Sequence, residues 1–393
     1  MHVGIVMRPT PPPRIGFVLS GGGARGAFQV GVYEQLLKDP RFAAGPTVLS
    51  GTSAGAINAA LIAAGLGPEQ LMRFWLEMGD APPVVANAGF LRNWWHELAK
   101  LGLTEPMRWL RAWRSIAHQA RDHFPPHRGS LSAWALQVLL LTRFDFVSGL
   151  LARVGDTAIF DTGKLRGRLR DRLGGDRVSI RPGVRLAINT IDAPTGRVVR
   201  FVNRGSEPEL HPLGADYEVV DAITVEMIVA SASIPLLVPA IPIGNHLLWD
   251  GGVLVNTPLA PMVDLGADEV ITVLVTEPPD PVVQDRFANL GDAIERVADT
   301  FLENTYNIDR KLLLERNRSA GNAPDRYRAL TLYVPVRPQL GTVFTAGSYL
   351  DFSQASIRRM YEDGRRATAA WLQAGPIVEA LRSPEATLRR PPA

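Results

Sequence analysis

A serine between two glycines is the feature of this sequence that most directly indicates chemistry. Ser53 lies at the centre of the GTSAG segment, after a short apolar run at 47–49 and before a run of helix formers at 54–64. This order predicts a strand, a tight turn and a helix, and the glycines remove Cβ atoms that would collide in the turn. The pattern predicts a nucleophile elbow that exposes the serine hydroxyl, although a Gly/Ser turn without chemistry has the same residues.

A glycine-rich loop earlier in the chain is the second candidate. The GGGARG segment follows an apolar run at 15–19 and precedes a predicted helix at 27–38. Consecutive glycines let backbone N–H groups turn toward an anion, and a helix N-terminus favours negative charge. Two anions fit. One is a dinucleotide pyrophosphate, because Gly21, Gly23 and Gly26 satisfy G-x-G-x-x-G, and the other is the oxyanion of an acyl-transfer intermediate.

The residues at the second predicted strand favour an oxyanion, rather than a pyrophosphate, as the ligand of the glycine loop. A dinucleotide site needs an acidic residue about twenty positions after the glycines, at the end of that strand. Residues 45–50 contain no carboxylate, and the serine elbow follows them instead. In a doubly wound sheet both turns open at the carboxyl edge of their strands, so we expect the two loops to face each other.

A serine nucleophile needs a base that accepts its proton, and histidine is the usual base. The second half of the chain offers only His211 and His246, and each is more typical of a loop or turn than of a catalytic site. Asp250 begins an Asp-Gly-Gly turn at the end of the uncharged run 227–249. Burial would raise its pKa and make it a better base, whereas a glycine-bounded turn aspartate is the alternative interpretation.

Together these motifs, with the Ala-Ser-rich block 230–235, resemble the patatin-like phospholipase family, in which a Ser-Asp dyad hydrolyses acyl esters without histidine. The resemblance extends over about residues 14–276 and implies no metal and no cofactor. It implies that Arg25 either braces the glycine loop or meets a lipid headgroup. The implied site consists of the catalytic pair Ser53 and Asp250, the oxyanion-loop residues Gly21, Gly22, Gly23, Ala24, Arg25 and Gly26, and the supporting glycines Gly51, Gly55, Gly251 and Gly252.

The expected architecture is a three-layer α/β/α domain with a mainly parallel sheet, at 14–375, between a flexible N-terminal tail at 1–13 and a C-terminal tail at 376–393. The segment 79–155 interrupts the βα rhythm, is rich in tryptophan and predicts a helical insertion or lid. Further predicted elements are helices at 69–78, 258–265, 291–318 and 353–372, a short basic helix that follows 160–162 and ends at 173, and a helix capped by Asp221 that ends near 231. A hairpin of 184–192 with 197–203 and strands at 246–249, 270–275 and 330–336 are also predicted.

Composition narrows the function classes. The formal net charge is +3 over 393 residues, so global charge does not favour a nucleic-acid partner. The absence of cysteine excludes disulfides and thiolate nucleophiles. The start of the chain does not resemble a signal peptide, and the two uncharged runs, 42–68 and 227–249, are interrupted by polar residues or prolines. We therefore expect a cytoplasmic protein, peripheral to a membrane at most.

Residues 92–128 predict a contact with lipid. This segment carries seven Lys or Arg and three acidic residues, and Trp109 and Trp113 are spaced as on one helix face. A basic amphipathic helix with tryptophan is typical of one that lies at a membrane surface, although such a stripe also fits a helix packed on the core.

The sequence therefore predicts a serine hydrolase that cleaves carboxylic esters of lipids or phospholipids through an acyl-Ser53 intermediate. Three alternatives stay open: a lipid acyltransferase with the same pair of residues, a dinucleotide-binding oxidoreductase, and a non-catalytic lipid-binding module. The headgroup, the acyl length and the acceptor alcohol are not indicated by any motif.

Overall fold

The computed structural model describes residues 12–80, 85–86, 92–93, 160–205, 213–235, 237–278, 290–322, 329–339 and 346–380. Most of the predicted insertion at 79–155, and nearly all of the amphipathic segment 92–128, lie outside these ranges. The helices and strands of the described residues are, in chain order, β1 (Ile15–Leu19), α1 (Gly26–Leu37), β2 (Val48–Gly51), α2 (Ala54–Ala63), α3 (Pro68–Asp80), β3 (Val85–Ala86), β4 (Phe160–Asp161), α4 (Gly163–Leu173), β5 (Arg185–Asp192), β6 (Arg197–Asn203), β7 (Tyr217–Val220), α5 (Val225–Ser231), β8 (Ile241–Ile243), β9 (His246–Asp250), α6 (Ala260–Asp264), β10 (Glu269–Val273), α7 (Leu290–Asn322), β11 (Thr331–Leu332) and α8 (Gln354–Gln373).

Two compact units divide the chain. The first comprises Met1–Pro83, Thr162–Pro235 and Ala240–Ala393, and the second comprises Val84–Asp161 and Leu236–Pro239. In the second unit, β3 and β4 form an antiparallel pair. No helix among the described residues combines the length and the apolar character that crossing a membrane requires.

The first unit is built on one sheet, in which nine strands are described. Its main path runs in the order β11-β10-β1-β2-β5-β6-β7, with β9 beside β5 and β8 beside β9. From β11 to β5 every pair is parallel, whereas β6 and β9 run antiparallel to β5. The predicted mainly parallel sheet and the hairpin of β5 with β6 are confirmed.

Apolar side chains cover both faces of this sheet. On β1, Phe17 and Leu19 belong to one buried cluster, and Val18 between them belongs to a second. The first cluster also contains residues of α1, α2 and α3, and the second contains residues of α6 and α7. A central strand buried on both faces explains its continuous apolar sequence and confirms the predicted three layers.

One sequence prediction needs correction, and two short strands were missed. The helix α5 is capped by Thr224, whose hydroxyl accepts a hydrogen bond from the Met227 N–H, and not by Asp221. The Asp221 carboxylate instead accepts a hydrogen bond from Arg204. The short strands β7 and β8 were not predicted, since four and three residues give too little periodicity to detect.

Helices α1 and α8 pack through reciprocal glycine contacts. A Cβ on Gly31 of α1 would lie 2.0 Å from the carbonyl oxygen of Tyr361, and a Cβ on Gly364 of α8 would lie 2.1 Å from that of Phe28. The two backbones therefore touch where neither helix carries a side chain.

We expect Gly31→Ala to lower the free energy of unfolding by about 1–3 kcal/mol, because the helices must move apart. Gly167→Ala in α4 is the matched control, because no atom lies within 4 Å of the added Cβ. That control should be neutral or slightly stabilising. Thermal unfolding of both variants checks this, and equal melting temperatures would contradict the proposed packing constraint.

Candidate active site

Ser53 occupies a strained turn between β2 and α2. Its backbone has φ 55° and ψ −124°, and within the described ranges no other non-glycine residue has a positive φ. The glycines beside it are required by close backbone approach. A Cβ on Gly51 would lie 2.3 Å from the carbonyl oxygen of Gly55, and a Cβ on Gly55 would lie 2.1 Å from that of Leu19. The predicted elbow geometry is therefore present.

Strand β5 brings Asp250 to this turn. Its first half pairs with β2, so that Gly51 lies opposite Ile188, and its second half pairs with β9, so that Asp250 lies opposite Thr190. Because β2 and β9 follow one another along the same strand, their carboxyl ends converge. The Ser53 side chain lies close enough to the Asp250 carboxyl group to lower the pKa of that group.

Burial sets the acidity of Asp250. The residue is only 4% exposed, and burial raises the pKa of its carboxyl group from 3.8 to about 6. The Gly252 N–H, which donates to the carboxylate at 2.7 Å, and the nearby Ser53 side chain oppose this rise in pKa, because both favour the carboxylate. Asp250 is thus ionised at neutral pH and is a stronger base than a surface aspartate.

The glycine loop lies beside Ser53. Its own hydrogen bonds reduce the number of loop N–H groups that are free to donate to an oxyanion. A Cβ on Gly21 would lie 3.3 Å from the Ser53 Cβ. The Gly21 N–H already donates to the Asn256 carbonyl at 3.0 Å, and the N–H groups of Arg25 and Gly26 donate within the loop. Among the described residues, the N–H groups of Gly22, Gly23 and Ala24 have no hydrogen-bond acceptor. These three, rather than all six predicted loop residues, can donate to an oxyanion.

The buried Arg25 side chain braces this loop. Its Nε donates to the Ser348 Oγ at 2.8 Å, and its Nη1 donates to the Val275 carbonyl at 3.1 Å and lies 3.4 Å from the Asp299 carboxylate. Its guanidinium also lies 3.6 Å from the centroid of the Tyr349 ring. A side chain with no exposed surface does not face a lipid headgroup, so the bracing alternative fits the geometry.

Two supporting residues were not singled out from the sequence. The Ser53 N–H donates to the Ser231 Oγ at 3.0 Å, and the Ser231 hydroxyl donates to the Asn189 carbonyl at 2.6 Å. The Asn189 side-chain amide donates to the Gly51 carbonyl at 2.8 Å. Together they hold both ends of the elbow. Ser231 belongs to the Ala-Ser-rich block noted in the sequence, whereas no motif distinguishes Asn189.

The alternative base His246 lies away from Ser53. His246 begins β9, at the opposite end from Asp250, and its ring nitrogens contact Glu218 at 2.6 Å and Asp192 at 3.5 Å. His211 lies outside the described residues. Within the described part of the chain, no group of three or more His, Asp or Glu side chains is placed to hold a metal ion.

The sequence comparison identifies the class of protein to which this site belongs. The family model for patatin-like phospholipase matches residues 17–263, a span that contains the elbow, the glycine loop and Asp250. The chain belongs to the patatin-like phospholipase family.

Similar solved structures come from bacterial proteins. VipD from Legionella pneumophila is 14% identical, with a TM-score of 0.35 and coverage of 92% of this chain and 67% of that chain. ExoU from Pseudomonas aeruginosa, solved in complex with SpcU, is 18% identical, with a TM-score of 0.27 and coverage of 91% of this chain and 53% of that chain. This chain thus spans about half to two thirds of their length. No curated protein matches its sequence.

Asp250→Asn should stabilise the fold at neutral pH. The folded-state pKa of Asp250 lies above its ordinary value, so ionisation opposes folding above pH about 6, and this cost disappears below about pH 4. We expect the variant to gain on the order of 3 kcal/mol at pH 7.5 and nothing near pH 3.5. Thermal melts at the two pH values measure the difference.

Asp192→Asn is the matched control of opposite sign. The Thr195 hydroxyl and the Leu247 N–H hold the pKa of Asp192 below its usual range. This substitution should destabilise the protein at neutral pH. An Asp250→Asn variant that melts below the wild type at pH 7.5 would contradict the assigned cost of burial.

Proposed function

We propose that this chain is a serine acyl hydrolase that cleaves carboxylic esters of lipids through Ser53 and Asp250. The observation that carries the proposal is the convergence on β5 of the strained Ser53 turn and the buried Asp250, whose pKa the Ser53 side chain lowers. Membership of the patatin-like phospholipase family supports a lipid as the substrate class.

The geometry supports a two-step mechanism. Ser53 Oγ attacks the ester carbonyl carbon while Asp250 accepts the hydroxyl proton. The N–H groups of Gly22, Gly23 and Ala24 donate to the oxygen that becomes negative in the tetrahedral intermediate. The intermediate collapses, the alcohol leaves with the proton held by Asp250, and the acyl group stays on Ser53. Water then attacks the acyl carbon, its proton passes to Asp250 and on to Ser53, and the carboxylic acid leaves.

The first test is loss of esterase activity. Ser53→Ala and Asp250→Asn should each lower kcat/KM by at least about 10³-fold, and the double variant should lose little more, because the pair acts as a unit. A fluorophosphonate should label the wild type on the peptide that contains Ser53. Replacement of His211 and His246 by Gln is the control and should leave most activity. Near-normal activity in either single variant would end the Ser-Asp proposal.

The pH profile distinguishes the base. Only the ionised carboxylate accepts a proton, so kcat/KM on a soluble ester should fall about tenfold per unit below pH about 6 and level off above it. Three other measurements distinguish the alternative functions. An acyltransferase would transfer the acyl group to an added alcohol, a binding module would retain lipid affinity in Ser53→Ala without labelling, and an oxidoreductase would bind a nucleotide resin.

We also propose, from the sequence alone, that residues 92–128 contact a lipid surface and that the protein is cytoplasmic. Changing Trp109 and Trp113 to Ala should weaken binding to anionic vesicles and hydrolysis of vesicle lipid, because interfacial tryptophans and basic residues both favour the headgroup region. Cleavage of a short-chain soluble ester should stay near the wild-type rate. Equal loss on both substrates, or a collapse of the melting temperature, would show that the tryptophans are core residues.

A further inference from the structure

Asn256 lies against both catalytic segments, although none of the predicted motifs includes it. The point where a Cβ on Gly21 would lie is 2.4 Å from the Asn256 Oδ1 and 3.3 Å from the Ser53 Cβ. The point where a Cβ on Gly252 would lie is 3.0 Å from the Asp250 Oδ1 and 3.3 Å from the Asn256 Oδ1. The side-chain amide of Asn256 therefore borders the space next to Ser53 and next to Asp250.

The side-chain amide of Asn256 has no hydrogen-bond partner in the described part of the chain. The residue is 3% exposed, and its amide bonds to no residue in the described part of the chain, whereas its backbone carbonyl accepts from the Gly21 N–H. Asn189 differs, because its Nδ2 is bonded to the elbow. A side-chain amide that no described residue binds keeps its acceptor and donor groups available to a molecule in the space next to Ser53 and Asp250.

We propose that Asn256 is a further catalytic residue, whose side-chain oxygen orients the water that hydrolyses the acyl-Ser53 intermediate. This inference rests on the proposed hydrolase function. The attacking water has two hydrogens: Asp250 accepts one, and the Asn256 Oδ1 accepts the other as a neutral acceptor that does not titrate.

The step balances without another reactant. The water oxygen bonds to the acyl carbon, and its first proton passes to the Asp250 carboxylate. The bond between Ser53 Oγ and the acyl carbon then breaks, and Asp250 returns the proton to Ser53. Asn256 exchanges no proton, so its contribution is confined to the position of the water. Acylation uses no such water, and this separates the role of Asn256 from that of the oxyanion donors.

Rapid-mixing kinetics of Asn256→Leu with a p-nitrophenyl ester test the proposal. Leucine keeps the size of the side chain and removes the acceptor, while the backbone bond to Gly21 is retained. We expect a burst of nitrophenol that approaches one equivalent per enzyme, at a rate within about threefold of wild-type acylation, followed by turnover slowed at least about 30-fold. Mass spectrometry should find the acyl group on Ser53. Asn256→Ala provides a second variant if the leucine does not fold.

Thr257→Val is the matched control, because the neighbouring Thr257 hydroxyl is buried without a partner among the described residues and should affect neither phase. Slow turnover of Asn256→Leu without a burst would mean that acylation is impaired, and unchanged turnover would mean that the amide is not used. Either result overturns the role of Asn256. A wild type that fluorophosphonate does not label at Ser53 would overturn the hydrolase proposal itself, so the two failures are distinguishable.

Discussion

The close approach of three backbone segments around Ser53 is the constraint on which the rest of the site depends. The end of β1, the end of β2 and the first turn of α2 are so near one another that a Cβ at Gly51 or Gly55 would overlap a backbone atom. Ser53 keeps a positive φ in this turn, which costs of order 1–3 kcal/mol for a side chain other than glycine. Hydrogen bonds from Asn189 and to Ser231 hold the turn at both ends, so the surrounding fold compensates for the strain.

The length of β5 explains how a carboxylate reaches Ser53 without a histidine between them. Along its eight residues, β5 pairs first with β2 and then with β9. Asp250 pairs with Thr190, two positions after Ile188, which pairs with Gly51. Because the pairing of β9 with β5 places Asp250 inside the sheet, its carboxylate is buried. This burial raises the pKa of Asp250. It therefore lowers the stability of the fold at neutral pH and makes Asp250 a stronger base.

Local sequence patterns predicted the two glycine turns, the hairpin and the strand that ends at Asp250, because each depends on apolar runs and glycines within about ten residues. They did not predict which loop N–H groups are free, since the acceptor that occupies Gly21 belongs to Asn256, far along the chain. Asn189 was missed for a similar reason. It lies inside an otherwise ordinary strand, and only the tertiary contact to Gly51 distinguishes it. The sequence likewise left two roles open for Arg25, and only its contacts with Ser348, Val275 and Asp299 distinguish bracing of the loop from contact with a headgroup.

Those partners also show that the site extends past the family-matched region at 17–263. Arg25 is held by Ser348, Asp299 and the ring of Tyr349, and a Cβ on Gly23 would lie 2.2 Å from the Tyr349 carbonyl oxygen. A free N–H stabilises an oxyanion only if its direction is fixed before the charge develops. The segments around α7 and at 346–349 supply that fixed direction through Arg25, so the C-terminal part of the chain contributes to the geometry of the glycine loop without contributing a reacting group.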